Sequence, residues 1–429
     1  MLKGNVTDMQ FDDTAESERH VHEPPSYWQK TVTPIPLSSD LPSFVDVAIV
    51  GGGILGAALS YWLARAGVNA AILERTALAD GATGRNGGFL STGTTEPYSD
   101  AIKRLGHETA RGVLKVTLEN QVLLRHVLNE EQFACDYHEP GTLSLALTED
   151  HLIKLKQDIA SLQVDGVTAS LLDRKQVQEL VGTPLGPEIL GGKFMPGQGV
   201  IHPIRLVQGL VEAAWNRGAR AYAATVLRLS PDGAGVLVQT TQGSLHAGTV
   251  IVAANAWIGE ILPSLARLIT PVRGQVLTYA PYSPVFTVGM SAPITHTGEY
   301  WQQRGDGTIV LGGCRAAAPG WDVGVRLNQP TTEVQMALEQ IFPRLFPALD
   351  GLQVAQRWAG LMAFTPDYLP IVDRLSSLPS VWVAGGFSGH GMPFGIRLGQ
   401  LLAETFTSGI WPAALLPFRL ERPTLKREL

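Results

Sequence analysis

Cysteine is almost absent: Cys135 and Cys314 stand far apart, without CxxC or histidine spacing. That excludes a disulfide scaffold and a structural zinc site, and makes a reducing compartment the simplest setting. No run of lysines or arginines occurs and the net charge is −6, so a nucleic-acid surface is not expected. Long uninterrupted apolar stretches are missing too. The most apolar one, residues 47–63, is broken by Gly51, Gly52, Gly53 and Gly56, and it passes from strand-type to helix-type residues. Such a stretch suits a buried strand and helix better than a membrane span. The first twenty residues are polar and acidic, with no apolar centre of a secretory signal. A soluble, cytoplasmic protein with no transmembrane segment is therefore expected. With 45% hydrophobic and 17% charged residues, the chain can fill two or three domain-sized cores and is not disordered in bulk.

The stretch "FVDVAIVGGGILGAALSYWLARAGVNAAILER", residues 44–75, carries the first strong signal. Val45 to Val50 is a continuous β-rich run, as in a parallel strand covered on both faces. Gly51-x-Gly53-x-x-Gly56 follows at once, then a helix-forming run from Leu55 to Ala66 stopped by Gly67. A second strand ends at Glu74, about 20 residues beyond the glycines. Gly51 allows the tight turn, Gly53 lets the backbone approach a pyrophosphate, and Gly56 lets helix and strand pack closely. The helix N-terminus, at Ile54 and Leu55, offers N–H groups and a positive dipole end to phosphates. Glu74 can accept both hydroxyls of an adenosine ribose. Strand, helix, second strand and acid in register predict a Rossmann-like dinucleotide site; the alternative is a glycine-rich turn that serves packing alone.

Two further glycine-rich segments call for a larger cofactor. "DGATGRNGGFLSTG", residues 80–93, is bare backbone plus Arg85 and Asn86, where a nicotinamide domain would continue into a helix. "GGFSGHGMPFG", residues 385–395, follows the strand-like "VWVAG" and precedes the helical run "GIRLGQLLAETF". Read alone, the first could be a surface loop and the second a packing turn.

Taken in order along the chain, these motifs resemble the glycine/D-amino-acid oxidase-type (DAO) FAD-dependent oxidoreductases. The likeness runs from about Tyr27 to Glu404 and includes "GGGILG", "GATGRNGG", "CDYHEPGTLSLAL", "GVIHP", "TVIVAANAW", "PVRGQVL", "IVLGG", "WAGLMAFTPDYLP" and "GGFSGHGM". "SYW", "GRNGG" and "CDYHEPG" lean toward the γ-glutamylputrescine oxidase-like branch. The resemblance implies an α/β (α+β) fold: a Rossmann-like FAD-binding domain with a mixed-sheet substrate domain, both discontinuous. The expected division is an irregular N-terminal arm at 1–40, an FAD-binding domain at 41–110, 196–256 and 352–412, a substrate domain at 111–195 and 257–351, and a tail at 413–429. It also implies FAD bound without a covalent link, since Cys314 ends a strand instead of standing in a GGCG-type turn. The expected cofactor contacts are Gly51, Gly53, Ile54, Leu55, Gly56, Glu74, Arg75, Ala82, Thr83, Arg85, Asn86, Gly87 and Gly88. Val226, beside the adenine, joins them with Ala254, Trp257, Gly360, Ser388, Gly389, His390, Gly391 and Met392. In the family the Gly-His-Gly segment and the following helix start face the flavin C2 carbonyl, where negative charge develops on reduction.

The implied reaction moves a hydride from the carbon beside a neutral amine to flavin N5, leaving an imine that water hydrolyses. No metal and no protein nucleophile are needed. Three departures from the family pattern bear on the substrate and the acceptor. Met362 stands where amino-acid-oxidising members carry an arginine after W-x-G, and Pro393 where sarcosine-type members carry a lysine. No lysine occurs between Lys193 and Lys426, so the cation that assists oxygen in sarcosine-type oxidases would have to be Arg273 or a protonated histidine, or the electrons go to another acceptor. A primary or secondary amine with a remote or absent carboxylate is the expected small-molecule substrate, and O2 or another acceptor the oxidant. His390, Arg315 and Tyr300 are the catalytic candidates: His390 for its place at the flavin, Arg315 as a substitute carboxylate anchor, and Tyr300 with Trp301 as an aromatic wall. His202 before Pro203 suggests a helix cap, and His138 and His296 are core or pocket residues. Oxidation of an α-amino acid, and flavin binding without turnover, are the competing readings.

Overall fold

The computed structural model describes residues 23–426. The first 22 residues of the expected arm lie outside the described residues.

The strand Phe44–Val50 lies between Gly243–Val252 and Ala70–Glu74, parallel to both. The full order is Ile371–Leu375, Leu378–Gly385, Gly243–Val252, Phe44–Val50, Ala70–Glu74 and Arg220–Ala223, with the antiparallel pair Val226–Asp232 and Gly235–Thr240 joined to Gly243–Val252. The helix Ile54–Arg65 is buried on nearly every side, because it packs on this sheet and also on the helices Pro203–Trp215 and Gly395–Ser408. Such a helix must be apolar all round, as its Ala- and Leu-rich sequence is. Gly399 makes the helix crossing close: a Cβ there would lie 2.8 Å from the Ala58 Cβ.

A second sheet runs in the order Val354–Phe364, Thr270–Tyr279, Ile309–Gly312, Glu299–Gln303, Gly289–Ala292, Thr142–Ala146, Gly191–Met195 and Ser170–Asp173. It is mixed: Gly289–Ala292 pairs parallel with Thr142–Ala146, and the other neighbours are antiparallel. Its core centres on Phe286, Trp301, Phe342 and Phe346 in edge and tilted contacts. Val354–Phe364, expected from the family resemblance in the FAD-binding part, pairs with Thr270–Tyr279 of the second sheet along its length. That pairing sets "WAGLM" against "PVRGQ", with Gly274 opposite Gly360 and Val272 opposite Met362.

Both ends of the described chain are built in. The expected irregular arm contains the helix Tyr27–Lys30, started by a capping box of Ser26 and Gln29. Trp28 is fully buried and its indole N–H donates to the Asn86 carbonyl at 2.7 Å. The tail folds back, burying Leu415 and Phe418, and its Arg422 forms a buried two-pronged pair with Asp367 at 2.6 and 2.8 Å. Burial alone would raise the Asp367 carboxyl, but hydrogen bonds and charge from Arg422, with a bond from Thr424, hold it below the ordinary carboxylate range.

Removing one partner of this pair leaves an uncompensated buried charge, so Arg422→Ala is expected to lower stability by about 3–5 kcal/mol in urea titrations. Because the folded-state value of Asp367 is depressed, its contribution is complete above about pH 4 and is lost as pH falls through that lower value. The native protein should therefore lose more stability between neutral and acid pH than Arg422→Ala does.

Candidate active site

The turn after Phe44–Val50 is closed by contacts that exclude side chains. Gly51 donates its N–H to the Leu73 carbonyl at 2.9 Å and has φ +110°. A Cβ on Gly51 would sit 2.8 Å from the Ala253 carbonyl oxygen, and one on Gly56 only 2.0 Å from the Gly51 carbonyl oxygen. Gly53 precedes the helix and cannot cap it with a side chain; Thr83, from the short turn Ala82–Arg85, accepts the Ile54 N–H at 3.1 Å instead. The N–H groups of Gly53 and Leu55 have no partner among the described residues, and both residues line one cavity of about 1580 Å³. Glu74 is aimed at this turn, accepting from the Gly52 N–H at 2.7 Å and the Thr76 N–H at 3.0 Å. Arg75, Val226, Ala254 and Trp257 line the same end, with the Arg75 guanidinium 4.1 Å from the Trp257 ring centre.

The cavity passes along residues 80–87 toward the second sheet. This segment is held by its carbonyls: Gly84, Arg85, Asn86 and Gly87 accept from Ser26, Trp358, Trp28 and Gln302 respectively. Arg85 is buried, and its guanidinium donates to the carbonyls of Asp80, Pro24 and Ala359, so it clamps the cofactor loop to the arm and the second sheet. Asn86 bonds within the loop, donating to the Thr83 carbonyl and accepting the Gly88 N–H. Gly88 has φ +74° and is outside the cavity wall, whereas Gly87 is in it, where a Cβ would meet the Tyr300 ring at 2.5 Å. Gly360 is pressed against Arg85, whose Cβ would lie 2.7 Å from a Cβ added there.

At the far end the cavity reaches Phe387 and residues 389–393. Ser388 is fully buried with φ +49°, donating its N–H to the Ala363 carbonyl and accepting the Thr365 N–H, so it ties this turn to the second sheet and does not face the cavity. The N–H groups of Gly389, Gly391 and Met392 have no partner among the described residues. The start of the following helix differs from expectation: its Ile396 and Arg397 N–H groups are taken by the Asn120 side chain at 2.9 and 3.0 Å, and the Gly395 N–H by the Gly391 carbonyl. The donors offered to the cavity therefore come from the glycine turn, not from the helix end. Asn120 sits in the middle of the long helix His107–Glu131, and nothing in its local sequence marks it.

His390 lines this end with its Nδ1 buried and unpartnered, and burial pulls its pKa down to about 4, so the ring is neutral at pH 7. Tyr300 lines the cavity too. Its hydroxyl has no hydrogen-bond partner among the described residues and burial pushes it up to about 12. Trp301 does not join it; the strand's alternation sends that ring into the second core. Arg273 is no free cation either, being bound by two prongs to Asp322 at 2.9 and 2.6 Å and to the Gln329 carbonyl. Met362 occupies the wall, its Sδ 3.2 Å from where a Cβ on Gly389 would be. Pro393 lines the same end, and Arg315 lines the cavity beside Phe364. Of the other histidines, His202 caps the helix Pro203–Trp215 by accepting the Arg205 N–H, His296 packs at a tilt against Trp321 with ring centres 4.5 Å apart, and His138 is exposed. Cys314 is buried and outside the cavity wall, with its thiol pushed up to about 12 by burial, which suits no covalent link.

Two glycine turns with backbone donors unpaired among the described residues, both on the wall of one cavity, define a protein for an extended dinucleotide cofactor. The chain belongs to the DAO family, described as FAD dependent oxidoreductase, whose pattern matches residues 46–405. It is 28% identical over 367 residues to gamma-glutamylputrescine oxidoreductase of Escherichia coli (strain K12), covering 84% of this chain and 83% of that protein. It is likewise 28% identical over 397 residues to the probable oxidoreductase OrdL of Rhizobium meliloti (strain 1021), covering 88% and 87%. The solved glycine oxidase from Geobacillus kaustophilus shares the fold, with a TM-score of 0.77 over 90% of this chain and 100% of that one at 22% identity. FAD is thus the cofactor of this enzyme, and the donor set and the side-chain-free turns fit it. Among the described residues no helix is long and apolar enough to cross a membrane.

Gly56→Ala drives a methyl group into the Gly51 carbonyl. It is expected to purify with FAD affinity lowered at least about tenfold, some 1.4 kcal/mol, read from the visible-to-ultraviolet absorbance ratio.

Proposed function

We propose that this enzyme oxidises the C–N bond of a primary or secondary amine, with Gly53, Leu55 and Glu74 holding the pyrophosphate and ribose of FAD and Gly389, Gly391 and Met392 facing its ring. When bound, FAD would supply a two-electron acceptor for the hydride of the carbon beside the amine, and the resulting imine would be hydrolysed by water. The unpartnered backbone N–H groups of the second glycine turn would stabilise negative charge developing on the ring without reorganising. The Tyr300 ring and the neutral His390 give the substrate an uncharged surround in which an amine is readily held unprotonated. In this reading the first sheet and its helices carry the cofactor, and the second sheet, including Val354–Phe364, shapes the substrate side. A reducing, cytoplasmic setting accords with the two free, buried thiols.

The observation that carries the amine reading is Met362. A thioether packed against Gly389 cannot pair with a carboxylate on the reacting carbon, and Pro393 offers no cation in its place. Electrons pass to O2, giving H2O2, or to another acceptor. Arg273, the candidate for assisting oxygen, is engaged by Asp322, which favours the second. The α-amino-acid reading is kept alive by one feature, the cation Arg315 in the same cavity.

An anaerobic titration of the FAD-loaded enzyme with γ-glutamylputrescine, N-methylated amines, diamines, glycine, sarcosine and D-alanine tests this. At least one amine is expected to bleach the visible flavin band while glycine does not, and admitting air then separates oxidase from dehydrogenase. Met362→Arg is expected to tighten binding of small α-amino acids by roughly tenfold. Bleaching by α-amino acids alone would sink the amine reading, and no bleaching at all would leave a flavin-binding protein without turnover.

A further inference from the structure

Arg315 brings a guanidinium partly indoors with no ion-pair partner among the described residues. It follows Cys314, whose left-handed backbone (φ +53°) turns the chain into the cavity wall after the strand Ile309–Gly312. Its Cζ lies 5.2 Å from the centre of the Phe364 ring, and its guanidinium makes no hydrogen bond or ion pair with any other described residue. Burial works against its charge, while Tyr368 and the carboxylate of Asp322 favour it from beyond pairing distance. Other arginines on the cavity wall are committed or exposed: Arg85 holds carbonyls, Arg326 pairs with Glu260, and Arg75 lies exposed on Trp257. The acids in the neighbourhood are engaged as well. Asp322 is held by Arg273, and Glu299 accepts from the N–H groups of Ile294, Thr295 and Cys314. A half-buried guanidinium stacked on a ring, with its N–H donors unspent, is a site for a planar anion.

Its position selects among anions. Met362 and Phe364 sit on the same face of one strand, two residues apart, and both line the cavity. Met362 touches the Gly389 turn; Phe364 follows two residues along the strand, about 7 Å away at the Cα atoms, and the guanidinium of Arg315 lies over its ring. The carboxylate of an α-amino acid is bonded to the carbon that is oxidised and would fall beside Met362. A carboxylate at Arg315 belongs to a longer molecule. We infer that Arg315 anchors the substrate's carboxylate and that this carboxylate is separated by several bonds from the carbon that loses the hydride, as in an ω-amino acid. The inference rests on the amine reading above and narrows it.

The test begins with probes that cannot be oxidised. Pentanoate and pentanamide are titrated into the FAD-loaded enzyme, and binding is read from the perturbed flavin spectrum. Pentanoate is expected to bind about tenfold or more tightly than pentanamide. Arg315→Gln should abolish that preference while retaining FAD, and Arg315→Lys should keep part of it. Equal binding of the two probes by the native enzyme, or an unchanged preference in Arg315→Gln, overturns the inference. The same comparison is then made by anaerobic reduction with 5-aminopentanoate, 5-aminopentanamide and glycine. If pentanoate binds through Arg315 but no amine bleaches the flavin, the anchor stands and the amine reading falls. If amines bleach the flavin with no carboxylate preference, the amine reading stands and the anchor falls.

Discussion

The architecture depends on how closely the first helix approaches the first strand. A single methyl group on Gly56 would fall 2.0 Å from the Gly51 carbonyl oxygen, and one on Gly51 would meet the Ala253 carbonyl at 2.8 Å. Those two distances bring three pieces of backbone together: the turn, the helix start and the end of Gly243–Val252. With side chains shut out, the helix N–H groups are unshielded and Glu74 can reach the Gly52 N–H. The site and the packing are the same contact, and so the buried helix Ile54–Arg65 can serve both.

The cavity's other end is made by the meeting of the two sheets. Ser388 bonds to Ala363 and Thr365 of the second sheet, while its neighbours belong to the turn after Leu378–Gly385 of the first. Arg85 and Trp358 stitch the cofactor loop to the strand Val354–Phe364. The Trp28 segment closes over that seam from outside. Carbonyls at this junction are spent on structure, while several amide hydrogens face inward. Such polarity suits an acceptor that becomes negative when it takes electrons.

Charge around that end is sparse by construction. Burial holds His390 neutral and pushes the Tyr300 phenol still further up, Met362 carries no charge, and Arg273 is neutralised by Asp322. Against this background a lone guanidinium one strand step away gains in importance, since a charge in poorly solvated surroundings attracts its counter-ion more strongly than it would in water.

The dinucleotide turn, its acid and the presence of a second glycine segment were legible from residues 44–75 and 385–395, because those signals are local: glycine spacing, a strand-type run and a helix-type run dictate the backbone wherever they occur. The family likeness extended that reading to FAD. Other features were not legible. Asn120 caps the C-terminal helix across 276 residues, so no local pattern could show that the helix start is already satisfied. The pairing of Val354–Phe364 with Thr270–Tyr279, the burial of Trp301 away from Tyr300, and the bond that withdraws Arg273 all follow from sheet register. Period-2 alternation says that neighbouring side chains part, but not which of them faces a cavity. Arg315 reads the same in sequence whether paired or alone. Only the tertiary structure, by engaging Asp322 and Glu299 elsewhere, decided that its guanidinium forms no ion pair among the described residues, because the state of a charge depends on what surrounds it in space.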